Sequence, residues 1–490
     1  MAGEPGAARA RGLGRIAWKV LRYLLIALLA LPVVFAALFL AIQEASERQW
    51  LGRAPEHPAI DVRSDRPHAV QLLDAGFDSL AERLRLIDGA ERTIELEFFI
   101  YELDEASRLV TQALARKAAE GVKVRLLVDF ALPVFKLAPA YVRALREAGV
   151  EVRYYNTKGL ERFFAMQHRT HRKLLVADRE RAIVGGRNIG NDYFDLSTHY
   201  NFLDSDLLID GPVAASIADS FDLYWASDWV TDPGVLGQAA KALTDDRLLG
   251  PLDAQETALM ATLRGHRSAL PPSTCTDLQF VTDYPGSGVE RRRVYPTIAR
   301  LVDEARREVL VESPYLVLRG DGIALMRRFT QQGVQLTFLT NTLHSTDAFY
   351  TVASLADSLG RLAVPGVQVW GYQGAPLPSA LAKGRPPASQ RWGVHAKRAV
   401  IDEGTVIIGT YNMDPRSANL NSELIVVCRG DATLAAQVRQ SIQARLAQSV
   451  PIVGAERAGG YEALVEGADG ASILKMKLVT PLASWLDFLL

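Results

Sequence analysis

The sequence predicts an α/β protein with two homologous lobes, preceded by one N-terminal transmembrane helix. Helical and strand patterns alternate along most of the chain, which is typical of α/β architecture. The same patterns recur in the same order in the second half, and an uninterrupted apolar stretch lies near the N-terminus.

The recurrence of patterns indicates an internal duplication. Residues 106–130 read as an amphipathic helix, a glycine stop and a buried strand, and residues 322–342 repeat that order. The segment "TIELEFFIY" resembles "EVLVESPYL", and their equivalent residues Glu97 and Glu312 are 215 positions apart. A repeat of this length is far longer than a solenoid unit, so we expect two lobes rather than an array.

The length of 490 residues, 49% of them hydrophobic, is enough for two or three domains with sizeable cores. A connection rich in proline and glycine separates the two repeats. In chain order we predict a cytoplasmic basic N-terminus (1–22), a transmembrane anchor (23–42), a linker (43–67), a first lobe (68–231), an inter-lobe connection (232–275), a second lobe (276–450) and a C-terminal extension (451–490).

Charge and cysteine content exclude several classes of protein. The 55 basic and 56 acidic residues nearly cancel, so the chain lacks the positive charge of a general nucleic-acid binder, and we expect no nucleic-acid partner. The two cysteines, Cys275 and Cys428, are far apart and form no C-x-x-C pattern. This excludes a cysteine-rich zinc module, but one isolated disulfide remains open.

The N-terminal apolar stretch, Tyr23–Ile42, has the length of a membrane-spanning helix. Basic residues precede it and two glutamates follow soon after, so the positive-inside rule predicts a cytoplasmic N-terminus and extracytoplasmic lobes. The competing interpretation is a cleaved signal peptide, because Ala41 and Ala45 are small residues near a suitable cut. The length of the stretch favours the anchor.

A short motif, H-x-K-x-x-x-x-D, occurs once in each repeat. The copies, "HRKLLVAD" and "HAKRAVID", begin 224 residues apart at His171 and His395. One copy alone would mean little, since a lone histidine is more often a satisfied core residue. Two copies at equivalent places predict a functional pair. The residues predicted to be catalytic are His171, Lys173, Asp178, His395, Lys397 and Asp402.

The spacing of the motif suits phosphate chemistry. Residues i and i+2 of a strand project to the same side, so each histidine shares a face with its lysine, and each aspartate projects away to order local backbone. Lysine is a poor metal ligand, and no carboxylate shares the histidine face at short spacing, so we expect no metal. Ammonium groups neutralise phosphate oxygens. Further substrate contacts are predicted after two turns, at Gly186, Asn188, Thr410 and Asn412.

The two histidines require different protonation states to act together. A neutral imidazole can attack phosphorus, while a protonated one can give a proton to the departing alcohol. Carboxylates that hold the second ring nitrogen would set these states. The matched segments "SDLLI" and "SELIV" make Asp206 and Glu423 the candidates.

These residues resemble the phospholipase D superfamily, whose signature is a duplicated H-x-K-x-x-x-x-D followed by a G-G/S-x-N segment. The stretches "GGRNIGNDYF" and "GTYNMDPRSANLNSE" look most like the bacterial cardiolipin synthase branch. The resemblance implies two α/β/α lobes with mixed sheets, a site at their junction, a phosphohistidine intermediate and no cofactor. It also implies His171 as nucleophile and His395 as acid. Thr410 stands where serine is commoner, a mild departure.

The resemblance and the anchor together imply a membrane-anchored phosphatidyltransferase of the cell (inner) membrane. It would make cardiolipin or a related phospholipid from phosphatidylglycerol, with phospholipids and the bilayer as its partners. A phospholipase D-type hydrolase is the alternative, because water can resolve the same intermediate. A phosphodiesterase acting on nucleic acid is disfavoured by the neutral charge and the anchor, and an inactive lipid-binding protein by the two intact motifs.

Overall fold

The computed structural model describes residues 61–131, 137, 139–157, 165–232, 249–286, 288–376 and 391–486, with isolated positions between 18 and 41. The alternation expected from the sequence is present throughout. The strands are β1 (Asp61–Ser64), β2 (His68–Leu73), β3 (Thr93–Phe98), β4 (Lys123–Asp129), β5 (Val150–Tyr155), β6 (Leu174–Ala177), β7 (Arg181–Gly185), β8 (Tyr200–Leu203), β9 (Asp206–Asp210), β10 (Val230–Thr231), β11 (Ser273–Cys275), β12 (Asp277–Thr282), β13 (Glu308–Glu312), β14 (Gln335–Asn341), β15 (Val367–Tyr372), β16 (Arg391–Val394), β17 (Arg398–Ile401), β18 (Thr405–Gly409), β19 (Leu424–Arg429) and β20 (Ser449–Val453).

Several helices begin at side chains that cap the free backbone N–H groups of the first turn. Asp104, Asp253 and Asp431 each accept a hydrogen bond from the backbone three residues on. The α-helices are α1 (Gly76–Asp88), α2 (Glu105–Ala119), α3 (Pro139–Glu147), α4 (Val213–Ala226), α5 (Ala254–Gly265), α6 (Val294–Asp303), α7 (Gly320–Gln331), α8 (Phe349–Leu362), α9 (Pro415–Asn419), α10 (Ala432–Leu446), α11 (Gly460–Val465) and α12 (Gly470–Leu486).

Two nine-stranded mixed sheets reproduce the predicted duplication strand by strand. The first runs in the order β10-β5-β4-β3-β6-β7-β9-β2-β11, and the second in the equivalent order β20-β15-β14-β13-β17-β18-β19-β12-β1. In both sheets three central strands are parallel, and the others pair antiparallel. The expected α/β architecture with mixed sheets is therefore confirmed.

The two lobes pack through their inner faces. Helix α4 covers the inner face of the first sheet and α10 that of the second, and one continuous apolar core includes side chains from both helices and both sheets. Separate cores lie under the outer helices of each lobe. Burial of this shared core fixes the position of one sheet relative to the other. The predicted site lies where the edges of the two sheets face each other.

Segments outside the predicted lobe bounds also join the two sheets. Strand β1, from the predicted linker, pairs with β12 of the second lobe, and β11, from the predicted connection, pairs with β2 of the first. Strands β8 and β16 pair across the junction. Cys275 on β11 and Cys428 on β19 form the disulfide that the sequence left open, so the two sheets are also covalently connected.

The predicted transmembrane anchor falls mostly outside the described residues. Its described positions, such as Tyr23, Leu31 and Leu38, are helical and exposed. Among all described residues, no helix has both the length and the apolar character needed to cross a bilayer. The anchor therefore stays a prediction.

Candidate functional site

His171 lies three residues before the first residue of β6, and contacts from the second lobe hold it in place. Its backbone N–H donates to the carbonyl oxygen of Ser422 at 2.9 Å. Its ring nitrogen Nδ1 lies 3.0 Å from Oε2 of Glu423, a carboxylate that was predicted to orient a histidine. An ionised carboxylate can only accept, so Nδ1 then carries the proton and Nε2 keeps its lone pair. The lone pair is what a nucleophile needs.

His395 is held in the same way by the first lobe. Its backbone N–H donates to Leu203 at 2.8 Å. Its Nδ1 lies 2.5 Å from Oδ2 of Asp204, which is fully buried. Each histidine therefore depends on the other lobe for both its backbone position and its ring orientation. Aromatic rings from Tyr193 and Phe202 pack beside the His395 ring at 5.4 and 4.7 Å.

The prediction that Asp206 orients a histidine is wrong. Asp206 accepts hydrogen bonds from Ser79 at 2.6 Å, Arg83 at 3.0 Å and Arg187 at 3.1 Å, all within the first lobe. These contacts satisfy its charge in a buried ion network. The residue that meets His395 is Asp204, which the sequence comparison passed over.

The wrong assignment of Asp206 came from aligning similar residue types. The hydrogen bonds between neighbouring strands give a different alignment. The N–H of Gly186 donates to Ser205, while that of Thr410, its equivalent, donates to Leu424. Ser205 and Leu424 are therefore equivalent, and the residues just before them are Asp204 and Glu423. The match of "SDLLI" with "SELIV" is two positions out of register. Asp204 follows Gly186 by 18 residues whereas Glu423 follows Thr410 by 13, so spacing along the chain does not reveal that the two carboxylates are equivalent.

Both lysines are buried beside their histidines. Nζ of Lys173 donates to the carbonyl oxygen of His171 at 2.7 Å. Nζ of Lys397 donates to the carbonyl oxygen of His395 and lies 2.9 Å from its Nδ1. Burial lowers the pKa of Lys173 well below its usual value and that of Lys397 to about 8, although nearby carboxylates oppose both shifts. An anionic phosphate would favour the charged form of both lysines.

The histidines have lowered pKa values in the free site. Burial, followed by the charges of Lys173 and Lys397, brings the pKa of His171 well below its usual value. Burial and Lys397 lower the pKa of His395 to about 4, against the opposing effect of Asp204. Both imidazoles are therefore neutral at neutral pH until negative charge arrives.

The two orienting carboxylates differ from each other. Burial raises the pKa of Glu423 to about 7, although Lys173 and three hydrogen-bond donors oppose it. Burial also acts to raise the pKa of Asp204, but His395 and Lys397 outweigh it and hold that pKa below its usual value. Asp204 is thus the better partner for an imidazolium, and Glu423 for a neutral imidazole.

The residues of the two predicted turns lie against these carboxylates. A Cβ atom on Gly186 would come within 2.1 Å of Oδ1 of Asp204, so only glycine fits there. In the second lobe the hydroxyl of Thr410 donates to Oε2 of Glu423 at 2.5 Å. In the first lobe the glycine therefore leaves space for Asp204, whereas in the second lobe the Thr410 hydroxyl binds Glu423.

The two predicted asparagines are buried close to the turns. Oδ1 of Asn188 accepts a hydrogen bond from the N–H of Ile100 at 3.1 Å. Oδ1 of Asn412 has no hydrogen-bond partner among the described atoms, although its side chain is buried. Unpaired buried polar groups are costly, so Oδ1 of Asn412 is suited to accept a hydrogen bond from a ligand.

The aspartates of the motif lie at the far ends of β6 and β17 from the histidines. Asp178 accepts from the N–H groups of residues 91–93 at 2.6–2.9 Å, and Asp402 from those of residues 306–308 at 2.8–3.1 Å. Both have a positive φ, 56° and 50°. Both were counted among the predicted catalytic residues, but they order the local backbone away from the histidines, and each holds the loop before the first parallel strand of its sheet.

Comparison with known proteins agrees with this geometry. The family described as "Cardiolipin synthase, PLD-like domain" matches residues 84–225 and 298–446, more than half of the chain. The chain belongs to this phospholipase D-like family. The two matched segments coincide with the two lobes, and each contains one H-x-K-x-x-x-x-D motif of this family member.

Relatives of this family member span most of its length. Cardiolipin synthase C of Escherichia coli K12 is 28% identical over 410 residues, covering 77% of this chain and 84% of the relative. An uncharacterised protein of Helicobacter pylori 26695 is 27% identical and covers 81% of this chain and 83% of its own. Phosphatidylserine synthase of Haemophilus influenzae shares the fold, with a TM-score of 0.60 at 13% identity over 86% of this chain and 95% of its own.

Proposed function

We propose that this protein is a membrane-anchored phosphatidyltransferase that makes cardiolipin or a related phospholipid from phosphatidylglycerol. The proposal rests on one observation: two histidines, each oriented by a carboxylate of the opposite lobe, share a buried site with two lysines. Such a site can divide the transfer of a phosphodiester into two displacements at phosphorus.

In the first displacement, Nε2 of neutral His171 attacks phosphorus of the donor phosphatidylglycerol. The nitrogen–phosphorus bond forms as the bond from phosphorus to the headgroup glycerol oxygen breaks. His395, protonated once the anionic phosphate is bound, gives its proton to that oxygen, and glycerol leaves. Lys173 and Lys397 offset the charge that develops on the phosphoryl oxygens. The product is a phosphohistidine at His171.

In the second displacement, the hydroxyl of another phosphatidylglycerol attacks the phosphohistidine. Its proton passes to His395, the new oxygen–phosphorus bond forms, and His171 is released neutral. The balance is two phosphatidylglycerols to one cardiolipin and one glycerol. Water in place of the second alcohol would give phosphatidic acid, which is the hydrolase alternative.

Two further observations support the lipid substrate and its location. A relative that covers 84% of its own length against this chain is named cardiolipin synthase C. The disulfide between Cys275 and Cys428 is typical of an oxidising compartment, which agrees with extracytoplasmic lobes behind an anchor at residues 23–42. We therefore place the enzyme in the inner membrane, with its N-terminus in the cytoplasm.

The decisive experiment incubates the purified full-length protein with vesicles of headgroup-labelled and acyl-labelled phosphatidylglycerol, followed by lipid chromatography. We expect acyl label in cardiolipin and headgroup label in free glycerol. Phosphatidic acid as the sole acyl-labelled product would establish the hydrolase instead. An absence of both products, with cleavage of DNA by the same preparation, would overturn the proposed lipid substrate.

A further inference from the structure

A large apolar cavity opens in the outer layer of the second lobe, between α6 and α7. Its volume is about 370 Å³, within the range of roughly 300–1,000 Å³ that small-molecule sites occupy. Strands β13 and β14 form its floor. Its helical walls are mostly apolar and include Tyr295, Ile298, Val302, Leu325, Met326 and Phe329.

The equivalent helices of the first lobe, α1 and α2, are covered instead. Helix α5 lies across them, with Met260 and Leu263 buried in the outer core. Its two ends are fixed by polar contacts: Glu256 accepts from Arg108 of α2 at 2.6 Å, and His266, just after α5, lies 2.6 Å from Asp78 of α1. The duplication thus placed the same helix pair in both lobes, but only the first pair is covered by α5.

The cavity borders the segment that carries Asn412. Met413 and Asp414, in its wall, directly follow Asn412. The carbonyl oxygen of Met413 accepts from the N–H of Val317, another wall residue, at 2.8 Å. The Tyr411 ring stacks on that of Tyr295 at 6.3 Å. Asp414 also accepts from the N–H of Ser417 at 2.7 Å, and the hydroxyl of Ser417 donates to Oε1 of Glu423 at 2.8 Å, so one residue connects the cavity wall to the carboxylate that orients His171.

Apolar side chains around this space remain only partly buried, so hydrocarbon entering it would remove them from water. Those that also pack on the outer core include Tyr295, Ile298, Val302, Val311, Leu325, Met413 and Ala418. The 18 residues before β1 (43–60) read "QEASERQWLGRAPEHPAI". Their charged and polar side chains make this segment a poor occupant of an apolar cavity. A lipid chain matches it.

The segment that follows the predicted anchor enters the fold beside the cavity wall. Strand β1 begins at Asp61, which pairs with Val281. Two residues after Val281, Asp283 caps the start of α6 by accepting from the N–H of Val294 at 2.9 Å. The segment from the predicted anchor therefore arrives beside a helix of the cavity wall, after 18 residues that reach about 60 Å at most.

We propose that this cavity binds one acyl chain of the phospholipid whose phosphate is presented to His171 and His395. The inference rests on the proposed lipid substrate and adds where the lipid is held. The two lobes place similar groups on either side of the phosphate, so those groups alone do not orient a lipid. An acyl site in the second lobe would fix which way the donor lipid points between the two histidines.

The test fills the cavity with Gly322→Leu. A Cβ atom on Gly322 would meet only Leu318, at 3.5 Å, so the larger side chain has room to enter. Gly360→Leu is the matched control, because nothing lies within 4 Å of its Cβ position on α8. Leucine has the higher helix propensity at both sites, so we expect both variants to fold.

For Gly322→Leu we expect kcat/KM on dioleoyl phosphatidylglycerol vesicles to fall about tenfold or more, and turnover of the chain-free diester bis(4-nitrophenyl) phosphate to stay unchanged. Gly360→Leu should match wild type on both. Equal values for the two variants on the lipid would overturn the acyl site. A wild type without cardiolipin product would instead overturn the proposed function.

A second measurement does not depend on turnover. Phosphatidylglycerol with a diazirine near the end of one acyl chain is photolysed with the full-length protein in vesicles, and the adducts are mapped by mass spectrometry. We expect adducts on α6 and α7, fewer in Gly322→Leu and unchanged in Gly360→Leu. Adducts confined to other segments would show that the acyl chain lies elsewhere and would overturn the inference.

Discussion

Nδ1 of His171 lies 3.0 Å from Oε2 of Glu423, a residue 252 positions away in the other lobe. The reciprocal contact joins His395 to Asp204, 191 positions away. Neither lobe therefore contains a complete set of groups around its own histidine. The active centre exists only when both lobes are packed together, which makes the shared core between the sheets a requirement for chemistry as well as for stability.

A trapping experiment should distinguish the roles of the two histidines. His171→Ala removes the nucleophile, so no phosphoenzyme forms from any substrate. His395→Ala removes only the proton donor, which a 4-nitrophenolate leaving group does not need. We expect a base-stable phosphoenzyme from a 4-nitrophenyl phosphodiester in His395→Ala and none in His171→Ala. Turnover of phosphatidylglycerol should fall by ~10²–10⁴-fold or more in both. The opposite labelling pattern would exchange the two roles.

Asp204 and Asp206 form a matched pair for testing which carboxylate acts on His395. Asp204→Asn should lower kcat on phosphatidylglycerol by ~10²-fold or more, because the imidazolium loses its partner, with little effect on the 4-nitrophenyl substrate. Asp206→Asn should instead lower stability by about 3 kcal/mol, since it leaves Arg83 and Arg187 buried without their carboxylate. Thermal unfolding and steady-state kinetics measure the two effects. A leaving-group-dependent loss in Asp206→Asn would restore the original assignment.

The pH dependence of kcat/KM should be bell-shaped and narrow. Glu423, with a pKa raised by burial to about 7, must be ionised to hold His171 in the reactive tautomer, so activity rises with pH through that value. Lys397, with a pKa lowered by burial to about 8, must be protonated to bind phosphate, so activity falls above it. Glu423→Gln should abolish the rising limb. A wild-type profile that is flat between pH 5 and 9 would contradict both assignments.

Asp178 and Asp402 are predicted to matter for stability more than for chemistry. Alanine at either position leaves three N–H groups of a neighbouring loop without their acceptor. We expect a loss of about 1–3 kcal/mol in the free energy of unfolding, measured by denaturant titration. The kcat per folded molecule should change less than tenfold. A loss as large as that of His171→Ala would place these aspartates in the chemical step.

The inter-lobe disulfide should stabilise the packed lobes. Replacing Cys275 and Cys428 by alanine removes a cross-link that spans 153 residues, and we expect a loss of about 2–5 kcal/mol. Because the site is formed between the lobes, activity should be lost in denaturant at the same concentration as the fold. Activity that survives separation of the lobes would contradict the shared-site geometry.

The sequence determined the two lobes, the mixed α/β architecture and the two histidine–lysine pairs, because duplication and local spacing are written along the chain. Helix α5, by contrast, lies in a segment predicted as a connection with some helix, and the sequence did not indicate which helices α5 covers, because that depends on contacts distant along the chain. The transmembrane anchor remains a prediction from composition.

Only the tertiary structure decided which carboxylate meets which histidine. Glu423 was named correctly from its likeness to Asp206, but the strand ladder shows that Asp204 is its equivalent. Residue likeness does not report register, because register is set by hydrogen bonds between strands. The exchange of orienting carboxylates between the lobes arises from contacts between residues 252 and 191 positions apart, and no local pattern records them.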